Sequence, residues 1–101
     1  MKNRNIEIGE FYIHFKYEIN TDLSIRITQY MYKIINIAIN ASDNVNNVDT
    51  FVIYKNIASG KVYARDIKEF LSVVDKNKYP NIKQKYRFTK CDVFGKIIDE
   101  E

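Results

Sequence analysis

FYIHFKYEI, residues 11–19, decides how this chain is read. Phe11, Ile13, Phe15, Tyr17 and Ile19 alternate with Tyr12, His14, Lys16 and Glu18, and a repeat of two residues marks a strand with one buried face. On that pattern Phe11, Ile13 and Phe15 point to the core, while Tyr12, His14 and Lys16 point the other way. Asn20, Thr21 and Asp22 supply turn chemistry. Leu23, Ile25 and Ile27 then alternate with Ser24, Arg26 and Thr28, so residues 11–30 read as one extended hairpin.

Outward from there the same signature recurs. In YMYKIINIAINA, residues 30–41, Met31, Ile35, Ile37 and Ile39 fit one strand face; a helix is the competing reading, and β-branched richness favours the strand. SDNVNNVD, residues 42–49, is a polar loop. TFVIYKNI and KVYARDI flank Ser59 and Gly60 as a second hairpin. RDIKEFLSVV, residues 65–74, suits one short helical turn before a last strand. Tyr86 and Phe88 lie beyond a polar stretch and are placed to dock back on the core. Met1–Asn5 and Ile97–Glu101 are expected to fray. The chain therefore reads as one mainly β domain over residues 1–101. The expected architecture is a small antiparallel barrel or roll of about five strands between residues 9 and 74. It has at most one short helix, with Phe15, Ile37, Val52, Ala64 and Phe70 inside.

Composition narrows the class. At 101 residues, 46% hydrophobic and 29% charged, the chain is an ordinary globular domain. The net charge of +3 is spread along the sequence, which argues against nucleic acid as a partner. No apolar run approaches the roughly 18 residues of a membrane span, and the opening MKNRNIEIGE has no signal-peptide core. A single cysteine, Cys91, suits a reducing compartment, and a cytoplasmic location is expected.

Several blocks then follow one another in order: GEFYIHFK, YKIINIAINAS, FVIYKNIASGKVYAR, EFLSVVDKNKYP and QKYRF. Together, over roughly residues 9–88, they resemble the bacterial family called domain of unknown function 1653. The residues carrying the resemblance are Tyr12, His14, Phe15, Lys16, Tyr32, Ala38, Tyr54, Tyr63, Arg65 and Phe70. The resemblance implies an SH3-like barrel or roll and no activity. Two departures stand out. YEINTDLSIRITQYM, residues 17–31, is longer than the family spacing, and Asp66 follows Arg65 where Pro is usual. Asp66 can cap the helical turn by another device.

A catalytic or metal centre has little support: one His and one Cys do not make a ligand set, and three glycines build no phosphate loop. The chain is read as a non-enzymatic binding module with no cofactor. His14, Lys16, Tyr12, Tyr32, Tyr54, Tyr63 and Arg65 alternate out of the expected core, and folding alone accounts for them poorly. Arg, Lys and His suit an anion and Tyr suits a planar group, so a small anionic, nucleotide-like ligand is the expected partner. Each residue also has a plainer role: His14 as a hydrogen-bonded structural residue, Arg65 paired with Asp66 or Glu69, the tyrosines as cross-strand pairs. The alternative function is protein interaction, as a homodimer through the long first hairpin or as a peptide binder. Single-stranded nucleic acid is a weaker third.

Overall fold

The computed structural model describes residues 4–19, 29–42 and 49–98. Within them lie five strands and a four-residue α-helix: β1 (Phe11–His14), β2 (Met31–Ile39), β3 (Thr50–Asn56), β4 (Val62–Asp66), α1 (Ile67–Phe70) and β5 (Phe88–Cys91), and residues 29–30, just before β2, are also helical. The strands form one antiparallel sheet in the order β4-β3-β2-β1-β5. This is a mainly β fold of the small barrel-or-roll kind. The strand order is linear, so β4 and β5 are its two edges. No helix among the described residues is long and apolar enough to cross a membrane.

β1 is shorter than its alternation predicts. His14 sits in extended backbone, and its ring nitrogen Nδ1 accepts the Lys16 N–H at 3.1 Å. That bond caps a 3-10 turn over Phe15–Glu18 and ends the strand. The expected return strand at residues 23–28 and most of the loop at 42–49 lie outside the described residues. β1 instead pairs with β2 on one side and β5 on the other.

Ile13 and Phe15 are buried as expected, but the main apolar cluster lies on the other face of β1, the one that carries Tyr12. Tyr12, Ile34, Val52 and Tyr54 pack with Phe70 of α1 and Phe88 of β5 into the main apolar cluster. Phe70 and Phe88 stack almost parallel, with ring centroids 4.1 Å apart. Ile13 and Phe11 face the other way, against Met31, Cys91, Tyr17, Tyr30 and Ile97. Both faces of β1 are thus covered, and alternation alone cannot rank two apolar faces. Phe15, Val52 and Phe70 are buried as expected, Ile37 is half-buried, and Ala64 is exposed.

A register shift in β2 explains another difference. Ile34 pairs with Tyr54 and Ile37 with Val52, so a bulge at Ile35 brings residues three apart onto one face. The expected Met31–Ile35–Ile37 stripe is broken there. The β3–β4 hairpin forms as expected. Gly60 has φ +74°, and the Asn56 side chain accepts the Ser59 N–H at 2.9 Å to close the turn. Asp66 caps α1 through the Lys68 N–H at 2.9 Å.

The last strand is β5, not residues 71–74: Val73 makes a single bridge with Tyr86. Neither described end is loose. Arg4 donates to the carbonyls of Leu71 and Phe88, and Ile97 bridges back to Cys91.

Candidate functional site

A cavity of about 330 Å³ opens against Phe88, the ring that stacks on Phe70. Tyr30, Tyr32, Tyr54 and Tyr63 wall the cavity, with Phe88 behind them. His14, Lys16 and Arg65 supply its polar groups. All five strands contribute to this convergence. Tyr32 lies on β2, Tyr54 on β3 directly opposite Tyr63 on β4, and Arg65 two positions further along β4. His14 and Phe88 are ladder partners across β1 and β5.

Six of the seven residues singled out from sequence therefore line one cavity. Tyr12 does not. Its ring packs edge-on against Phe70 at 5.4 Å, and its hydroxyl donates to Glu10 Oε1 at 3.1 Å. Tyr12 is core. Tyr30 and Phe88 are added by the structure. Phe88 follows a polar stretch with no strand-like alternation ahead of it, which hides β5 from a periodicity argument. Tyr30 sits where the expected hairpin over residues 11–30 meets the run over residues 30–41 and carries no separate signal.

The rings form a network. Tyr54 and Tyr63 are stacked with centroids 5.7 Å apart, and Tyr32 meets Tyr54 edge-on at 5.3 Å. Edge-to-face and offset pairs of this kind add about 0.5–1.5 kcal/mol beyond burial. Tyr54 is only 4% exposed while Tyr63 is 42% exposed, so the stack runs from the core out to the rim. Burial pushes the Tyr32 phenol up, and it stays protonated at neutral pH.

The polar end is built differently. Arg65 donates Nε–H to the Tyr54 hydroxyl at 3.0 Å and pairs through Nη1 with Glu69 one helical turn on. Its guanidinium carbon lies 5.6 Å from the Phe88 ring centre. Burial alone would lower the Arg65 pKa, but Tyr54 and Glu69 outweigh it and the group stays cationic. The plain expectation of a carboxylate partner for Arg65 is met by Glu69, yet the pair leaves the Nη2 donors without a partner among the described residues.

His14 is 9% exposed and stacks on Phe15 at 4.5 Å. Burial first, then Arg65, Lys16 and Arg87, hold its pKa down at about 3. The imidazole is therefore neutral at physiological pH. With Nδ1 accepting from Lys16, the proton sits on Nε2, which becomes a neutral donor.

Among the described residues no group of three His, Cys, Asp or Glu is arranged to hold a metal ion. Cys91 is buried on the other face, and burial pushes its thiol up to about 12. No family model, curated protein or solved structure matches the chain. The motif resemblance to the bacterial family has no support from these comparisons, and the site is read from its own chemistry.

Proposed function

We propose that the cavity captures a small anionic ligand with a planar part, nucleotide-like in chemistry, without transforming it. One observation carries this reading: a single cavity joins two cations, Lys16 and Arg65, to four tyrosines. The planar part stacks among Tyr32, Tyr54 and Tyr63. The anion meets the Nη2 side of Arg65, the Lys16 ammonium and the Nε2–H of His14. Arg65 suits this role because its fork matches phosphate oxygens, and its partly exposed pair with Glu69 costs at most about 1 kcal/mol to rearrange. Binding without turnover fits His14. A base with a pKa near 3 does not collect a proton at neutral pH.

The test is capture. Purified protein is incubated with a nucleotide-rich cell extract, washed and denatured, and the released molecules are identified by mass spectrometry. An anionic, ring-containing compound should be released from the wild type and be depleted from Arg65→Ala, whose circular dichroism stays unchanged. Empty wild-type protein, together with an unfolded Arg65→Ala, would make Arg65 structural and overturn the reading.

Protein interaction is the second reading, favoured by the edge of β4. Among the described residues β4 pairs with β3 alone, and Val62 on it is exposed. A homodimer through this edge would show as a dimer in sedimentation at micromolar concentration. It would revert to monomer on Val62→Lys, a charge that blocks edge pairing.

A further inference from the structure

The tyrosine cavity is not closed at its cationic end. His14, Lys16 and Arg65 also line a second cavity of about 320 Å³, so the three side chains form a partition between two adjoining spaces. The second space is completed by Phe15, Tyr79 and the segment between α1 and β5, which contributes Asp75, Lys78 and Arg87. Its chemistry differs from that of the first. Four cations face it, against the Asp75 carboxylate in its lining and the Glu69 carboxylate on Arg65. Asp75 is itself engaged, its Oδ1 accepting the backbone N–H groups of Asn77 and Lys78.

Arg87 is positioned rather than loose. Its backbone N–H donates to the Ser72 carbonyl at 2.9 Å and its Nε–H to Ser72 Oγ at 3.2 Å. The Nη groups of Arg87 have no partner among the described residues. Arg65, Lys16 and Arg87 line this second cavity together with the His14 ring, which gathers the three charges on one space. Like charges gathered this way repel one another unless an anion comes between them. A single phosphate at the partition would engage Lys16 and Arg65 and leave Arg87 and Lys78 unused.

We propose that the two cavities form one bipartite site for a nucleoside phosphate carrying two or more phosphoryl groups. The base occupies the tyrosine chamber, the first phosphoryl group the partition at Lys16 and Arg65, and the next phosphoryl group the annex at Arg87 and Lys78. This deepens the proposed function and rests on it. Arg87 acts on the second phosphoryl group through its planar fork, and Lys78 acts as a mobile point charge.

Isothermal titration calorimetry of the full chain at fixed salt tests this, with the mono- and diphosphates of adenosine, guanosine, cytidine and uridine, and with inorganic pyrophosphate. For at least one base the diphosphate should bind tenfold or more tightly than the monophosphate. Lys78→Ala and Arg87→Gln should each bring that ratio below threefold and leave the monophosphate Kd within twofold. Lys78 is exposed with its ammonium over the Tyr79 ring, so its variant carries the test even where Arg87→Gln disturbs Ser72. A wild-type ratio near one, or variants that weaken both nucleotides equally, would overturn the bipartite site and leave the chamber reading standing. Pyrophosphate binding as tightly as the best diphosphate would overturn it too, by showing that the tyrosines contribute nothing. Failure of every nucleotide to bind would remove the chamber reading and the bipartite site together.

Discussion

Arg65 donates its Nε–H to the Tyr54 hydroxyl at 3.0 Å from a diagonal position across the β3–β4 ladder. Tyr54 faces Tyr63 directly and Arg65 faces Val52, so the bond runs between the rung that builds the aromatic stack and the next same-face rung. A buried phenol therefore aims an edge-strand guanidinium. The hairpin is the unit that joins the two halves of the candidate site.

Tyr54→Phe removes the acceptor and keeps the ring. Hydrogen bonds to charged groups contribute about 1.5–3 kcal/mol to stability, and Arg65 is partly exposed, so a loss near or below the lower end of that range is expected in urea denaturation. Ligand affinity should fall about tenfold, equivalent to 1.4 kcal/mol. A double-mutant cycle with Arg65→Ala isolates the bond. Additive effects on binding would show that Tyr54 does not position Arg65.

His14 gives the fold a defined acid sensitivity. Its folded pKa of about 3 lies below the ordinary 6.5, so between those values the unfolded chain binds the proton and the folded chain does not. Stability linked to this group is complete above pH 6.5 and is lost as pH falls toward 3, at up to about 1.4 kcal/mol per pH unit. His14→Asn retains an acceptor for the Lys16 N–H and has nothing to titrate. Urea midpoints between pH 7 and 4 should fall more steeply for the wild type than for His14→Asn. Parallel curves would mean that the ring takes up its proton in the folded state as well.

How much of this was legible in the sequence depends on which residue is asked. The β3–β4 hairpin was, because Ser59 and Gly60 mark the turn and alternation flanks it. The capping role of Asp66 was legible for the same local reason. The core face of β1 was not: Tyr12 and Phe11 are both aromatic, and what decides between them is Phe70 and Phe88, many residues away. Tyr12 was therefore assigned to the site when it belongs to the core. The β2 bulge at Ile35 leaves no mark in a run of isoleucines and asparagines. Arg87 and Lys78 lie in a polar stretch without periodicity, and only folding brings them to Lys16 and Arg65.

Arg4 ties the first described residues to the site's support. It donates to the Leu71 and Phe88 carbonyls and lies 3.8 Å from the Tyr86 ring centre. Arg4→Ala would leave both carbonyls short of a donor and remove a cation–π contact of about 0.5–1 kcal/mol. A loss of about 1–3 kcal/mol is expected, read as a lower urea midpoint with an unchanged slope. An unchanged midpoint would place the Arg4 contacts outside the cooperative fold.

Tyr63→Ala separates recognition from folding. Tyr63 is 42% exposed at the rim, and its ring stacks on Tyr54 at 5.7 Å. Its removal costs the fold two aromatic pairs, with Tyr54 and with Tyr32 at 6.2 Å, about 0.5–1.5 kcal/mol each. Stacking of a planar ligand on an aromatic side chain is worth about 1–3 kcal/mol per base, so affinity for a ring-containing anion should fall about 5- to 150-fold. Affinity for an anion without a ring, such as pyrophosphate, should not change, because Lys16 and Arg65 remain in place. Tyr63→Phe should restore the nucleotide affinity. Equal losses for ring-containing and ring-free anions would show that Tyr63 shapes the cationic end of the cavity and that the chamber holds no planar group.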